Sequence, residues 1–206
     1  MAVAVSFQVP KKWDLERKPG SILVNDQTLM ACDVDPDKCT QGDLTIKPKG
    51  GADGAFLVVR GTADSLEAMT PDFIKKSVFN RGGKFGAFGA PEDVKFVKDK
   101  VDNGVRLIDV KFNAFSPGGT TIARKGILAV SKAGPEAYIW VATTSANRWK
   151  NSEETLRNIA GSFSAKSTGQ KAKVEAKFDG VKKSMFNKEN EERARLERER
   201  AAEGIQ

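Results

Sequence analysis

Histidine is absent from the chain altogether. That removes in one step the usual metal ligand, the usual general base at neutral pH, and the Ser–His and Cys–His nucleophile pairs. No apolar run approaches the length of a membrane span, which predicts a soluble or peripheral protein. Neither an apolar signal segment nor an Arg/Ser-rich transit region precedes the first strand-like stretch. For an organellar protein the expectation is then a mature form, or a chain to which Met1 has been added. Cysteine occurs only at Cys32 and Cys39. Two thiols are too few for a structural zinc site, and C-x6-C is not a usual zinc spacing. A disulfide between them would close a small loop and suit an oxidising compartment.

What is present in excess is charge, with a net of +7 and a pI near 9.4. Such a balance permits docking on nucleic acid, anionic lipid or an acidic protein surface. It is equally the signature of ordinary solubility, because the signs are interspersed.

The most strongly patterned stretch is YIWVATTSANRWKNSEETLRNIAGSFS, Tyr138 to Ser164. Tyr138, Trp140 and Ala142 alternate with Ile139, Val141 and Thr143, so a strand here has both faces covered. Asn151, with Glu154 three residues on, reads as a capping box. Leu156, Ile159, Ala160 and Phe163 follow at helical spacing, one stripe for a sheet. The helix is therefore expected from about Ser152 to Gly161. Trp149 should be at least half buried at the junction, and Arg148 should fix the connection or face a partner.

Upstream, Val3 to Val9 reads as a strand stopped by Pro10, with Trp13 as a lid and Ser21 to Val24 as a further short strand. Asp26 to Gly54 is polar and rich in glycine and proline, and reads as a surface excursion. Ala55 to Arg60 is a strand. Thr70-Pro71 starts a helix, Phe73, Ile74, Val78 and Phe79 mark its buried side, and Gly82 or Gly83 ends it. Lys84 to Pro91 reads as a flexible loop in which Phe85 and Phe88 would contact a partner. Period-two alternation then covers Val94–Val101, Val105–Phe115, Thr121–Ser131 and Tyr138–Thr144. Asn103-Gly104, Pro117-Gly118-Gly119 and Gly134-Pro135 supply the turns between them. Four such strands in a row predict an antiparallel meander, and helices before and after it give an α/β/α sandwich.

After Ala165 the composition changes. Residues 166–206 read as a linker and a charged helical extension beyond a domain of residues 1–165. Pairs such as Glu189–Arg193 contribute only about 0.2–0.5 kcal/mol each. Phe178, Val181 and Phe186 have little reason to sit in a solvated tail. With Lys182 and Lys183 they are expected to anchor on a partner.

Several chemical readings are weak. The loop Arg81 to Asp93 lacks the Gly-Lys-Ser/Thr ending of a phosphate loop. Asp33, Asp35 and Asp37 begin like an EF-hand, but Lys38 and Leu44 stand where Gly and Glu belong. Arg81, Lys84, Phe85, Lys95, Arg148 and Trp149 could form a nucleic-acid surface, yet no binding signature accompanies them, so no nucleic-acid partner is expected. No cofactor and no enzymatic activity are expected either.

Two terminal motifs, VSFQVPKKW (Val5 to Trp13) and Arg148-Trp149 followed by a helix ending in Ser162-Phe163-Ser164, resemble the PsbP family of extrinsic photosystem II proteins. SLEAMTPDFI (Ser65 to Ile74) is similar to the family's helix-opening segment. The resemblance covers roughly Val3 to Ala165. It implies a non-enzymatic protein of the chloroplast thylakoid lumen, peripheral to the membrane, that stabilises or assembles a photosystem. Photosystem II with its oxygen-evolving complex comes first, and photosystem I or an antenna complex is the alternative. Calcium or manganese handling in the family is associated partly with histidine, which this chain lacks. The same sandwich also occurs in the nuclear-import factor that binds the Ran GTPase, and fold alone does not choose between these uses.

Overall fold

Asn103 and Gly104 both adopt positive φ (50° and 76°), the backbone that a two-residue hairpin between twisted strands requires. They join β7 (Glu92–Asp102) to β8 (Val105–Phe115), which continues into β9 (Thr121–Ala133) and β10 (Glu136–Ser145). All three pairings are antiparallel between successive strands. This is the meander that the alternation predicts, each strand lying within a residue or two of its expected bounds.

The computed structural model describes residues 2–17, 23–25, 28–30, 44–51, 53–60 and 63–167. Within them the meander extends through β6 (Gly54–Arg60), β5 (Leu44–Pro48) and β2 (Trp13–Arg17) into a seven-stranded sheet ordered β2-β5-β6-β10-β9-β8-β7. Two of these strands were not expected. Trp13 opens a strand as well as packing on the core. β5 lies inside the stretch read as an excursion. Its Leu44 and Ile46 are buried, and five residues are too few to show their own periodicity.

The two faces of β10 split as its alternation requires. Tyr138, Trp140 and Ala142 join one core, with Leu156, Ile159, Ala160 and Phe163 of the C-terminal helix. Ile139 and Val141 join the other, with Ile74 and Val78 of α1 (Pro71–Val78). The architecture is therefore an α/β/α sandwich. On the first face a smaller sheet packs beside the helix, ordered β11-β1-β4-β3 and formed by β1 (Ala2–Ser6), β3 (Leu23–Asn25), β4 (Thr28–Met30) and β11 (Ser164–Ser167). Its β11 runs past the expected domain end at Ala165.

Both helices have termini that differ from those the sequence predicts. At α1 the expected cap is present, with the Phe73 N–H donating to Thr70 Oγ1 at 3.2 Å. The helix stops at Val78, short of Gly82, where Asn80 Nδ2 donates to the Lys76 carbonyl at 2.7 Å. At the other end, Asn151 does not cap. The chain leaves β10 through a 3-10 turn (Ala146–Arg148), and α2 runs from Trp149 to Gly161 without a side-chain cap. Trp149 packs on the core from the first turn. Aromatic burial of a few kcal/mol outweighs a cap of about 1 kcal/mol.

Candidate functional site

Thr143 and Thr144 are neighbours on β10 and so point to opposite faces of the sheet. Asp53, just before β6, reaches around the end of the sheet to both. Its Oδ2 accepts from Thr144 Oγ1 at 2.9 Å, and its Oδ1 accepts from Arg124 Nη2 at 3.0 Å. Arg124 also donates to Thr143 Oγ1 at 3.2 Å. Arg148 makes a second ion pair with Asp53. Asp53 and Arg124 are only 14% and 16% exposed, whereas Arg148 is 61% exposed. Burial draws the Arg124 guanidinium below its ordinary pKa, with Asp53 opposing the shift. The Arg124 Nε–H is buried without an acceptor among the described residues, and its guanidinium carbon lies 5.4 Å from the centre of the Phe85 ring.

This clasp separates two clefts. On the α1 face a cleft of about 210 Å³ is lined by Lys84, Phe85, Phe56, Thr45, Arg124 and Thr143, among others. Lys84 Nζ lies 4.6 Å over the Phe56 ring and donates to Thr45 Oγ1 at 3.3 Å. On the α2 face a cleft of about 170 Å³ is bounded by Trp13, Pro48, Asp53, Arg148 and Ser152. Both clefts also carry a carboxylate, Glu16 in the first, paired with Lys47, and Asp53 in the second. Among the described residues no three acidic or thiol side chains gather as metal ligands.

Of the residues singled out from the sequence, Lys84 and Phe85 lie at this end of the sheet on the α1 side of the clasp, and Arg148 on its α2 side. Phe85 is turned inward, within 4.8 Å of Phe112 and 5.4 Å of Phe56, centre to centre. The ring is half-buried, packed on the core on one side and lining the cleft on the other. The loop itself is a series of hydrogen-bonded turns, Gly83 to Asn80, Gly86 to Gly83 and Gly89 to Gly86. Phe88 stands apart with 56% of its surface exposed. Cys32, Cys39, Phe178, Val181, Lys182, Lys183 and Phe186 lie outside the described residues.

Sequence reading missed Asp53 and Arg124. Asp53 sits in a polar stretch with no pattern to mark it. Arg124 did carry a signal, because it shares the parity of the buried Leu128 and Val130 on β9. A lone arginine on the inward face of a strand calls for a buried carboxylate.

No family model and no curated protein matches the chain. Solved structures similar in chain trace include the following two. One is the solution structure of the cyanobacterial PsbP protein CyanoP from Synechocystis sp. PCC 6803, at 12% identity and a TM-score of 0.49, covering 78% of this chain and 86% of that one. The other is LpqN of Mycobacterium tuberculosis, described as involved in cell envelope biogenesis. It is 10% identical with a TM-score of 0.41, covering 79% of this chain and 83% of that one.

Proposed function

We propose that the chain is a non-enzymatic PsbP-domain subunit that docks on a photosystem at the lumenal side of the thylakoid and stabilises or assembles it, with photosystem II the first candidate. The observation that carries this reading is that the two terminal motifs resembling the family form one packed unit. β1 pairs with β11, Ser6 Oγ and Ser164 Oγ are 2.8 Å apart, and the Gln8 N–H donates to Ser162 Oγ at 2.9 Å. Phe7 stacks on Trp140 at 4.6 Å, and Trp140 stacks on Phe163 at 5.9 Å. The two segments that carry the resemblance thus lie side by side in the fold, as parts of one surface would. The histidine-free sequence and a site whose carboxylate is held by two arginines support binding over catalysis. No helix among the described residues is long and apolar enough to cross a membrane, in keeping with a peripheral attachment.

The test is native gel electrophoresis of solubilised thylakoids. The protein should co-migrate with photosystem II and be released by a high-salt wash. Co-migration with photosystem I or an antenna complex would move the assignment there. Recovery only away from thylakoids would overturn the reading.

A further inference from the structure

Strand register assembles a row of lysines that no local pattern marks. Lys95 of β7 stands opposite Lys111 of β8, and Lys111 stands opposite Lys125 of β9. Lys125 has the parity of Ile127 and Ala129, which belong to the core under α2. The three lysines therefore cross adjacent strands in one line on the α2 face, at strand spacings of about 4.8 Å. Lys95 and Lys111 are exposed and Lys125 is partly so. None of the three makes an ion pair among the described residues. Asp109, the carboxylate two residues along β8, is occupied by Arg157 of α2 through bonds of 3.0 and 2.8 Å. Lys98, opposite Asp109, adds a fourth cation. Glu92 lies at the edge of the same patch, opposite Asn113.

Like charges directly opposite one another weaken a sheet, so the row is not explained by stability. Its surroundings say what it fits. α2 packs over β10, β9 and β6, leaving the β7–β8 side of this face as a shelf beside a helix about 10 Å across. A planar lipid surface resting on that helix would be held away from the lysines. Beside the row lie Asp109, Lys98, Glu92 and Asn113, which donates to Asp93 Oδ2 at 2.9 Å, and the nearby Trp149 ring is covered by Arg157, so among the described residues no open ring stands in the row for bases to stack on. Carboxylates at i and i+4 on a helix are about 5–6 Å apart at Cβ, close to the lysine spacing. We propose that this shelf docks an acidic helical segment of a protein partner, its carboxylates lying along Lys95, Lys111 and Lys125. The inference builds on the binding-subunit reading but holds whichever complex is the partner.

The experiment uses the full chain and a labelled helical peptide carrying Glu at every fourth position in an alanine background, followed by fluorescence anisotropy. Wild type should bind, more weakly as salt is added. The triple variant Lys95→Gln, Lys111→Gln, Lys125→Gln should bind about tenfold more weakly, the sum of three exposed charge contacts, while melting no lower than wild type. Lys75→Gln with Lys76→Gln, on α1 at the opposite face, should leave binding unchanged. Equal binding by the triple variant would overturn the proposal. So would tighter binding of wild type to a poly-deoxythymidine oligonucleotide or to anionic vesicles than to the peptide. A triple variant that loses binding and also melts lower would assign the row to the fold and likewise overturn it. Because the assay contains no photosystem, its failure is distinct from failure of the co-migration test.

Discussion

Asp53 is the residue on which the end of the sheet depends, because one carboxylate satisfies groups on both faces. Removing its charge leaves the buried Arg124 guanidinium unpaired, and breaking a buried pair costs more than the pair contributes. Asp53→Asn should lower stability by about 3 kcal/mol, read from denaturant midpoints at unchanged slope. Arg148→Ala should cost less than about 1 kcal/mol, since that arm of the clasp is exposed. Replacing Arg124 by Met in the Asp53→Asn background should recover part of the loss, and strict additivity would show that the two do not act as a pair. Tyr138 offers a pH test, being the chain's single tyrosine. Burial, and then its 2.6 Å bond to Glu136 Oε2, push the hydroxyl well above its ordinary pKa. The folded state keeps the proton while the unfolded chain releases it near pH 10. This contribution to stability is therefore complete below about pH 10 and is lost as pH rises beyond it. Phenolate absorbance should appear only together with unfolding. Phenolate forming ahead of the loss of secondary structure would show that Tyr138 is accessible.

Among the elements, the long strands and α1 were legible because alternation and caps are properties of adjacent residues. Thr70-Pro71 starts a helix whatever lies elsewhere, and Asn103-Gly104 turns the chain by its own backbone preference. The Asn151 capping signal failed because Trp149, two residues earlier, is drawn onto the core and takes the helix start with it. Trp149 also lies 5.9 Å beneath the Arg157 guanidinium. Trp149→Ala should therefore cost about 3 kcal/mol. A variant that melts like wild type would make Trp149 an interface residue and remove it from the fold-closing role. Gly126 shows an element constraint with no local mark. A Cβ there would come within 2.5 Å of the Ala142 carbonyl oxygen, so this position in the middle of β9 is closed to larger residues by its neighbouring strand.

For the whole molecule, the pairing of β1 with β11 moves the boundary at which the extension can be removed. Truncation after Ala165 would delete Lys166 and Ser167, which pair with Ala4 and Val3. Truncation after Ser167 should leave the melting temperature of the sandwich nearly unchanged, and under the proposed photosystem docking with the extension as anchor it should weaken co-migration. Full association of the truncated chain would end that role for Phe178, Val181 and Phe186. The sequence by itself determined the meander, its turns, the helix that follows it and the absence of histidine chemistry, because each is encoded within a few residues of chain. Only the tertiary structure decided that β5 lies between β2 and β6, that Asp53 joins Arg124 to Arg148, and that Lys95, Lys111 and Lys125 stand in one row. Those facts depend on register and on which distant strands become neighbours, and residues far apart in sequence acquire that relation only when the chain is folded.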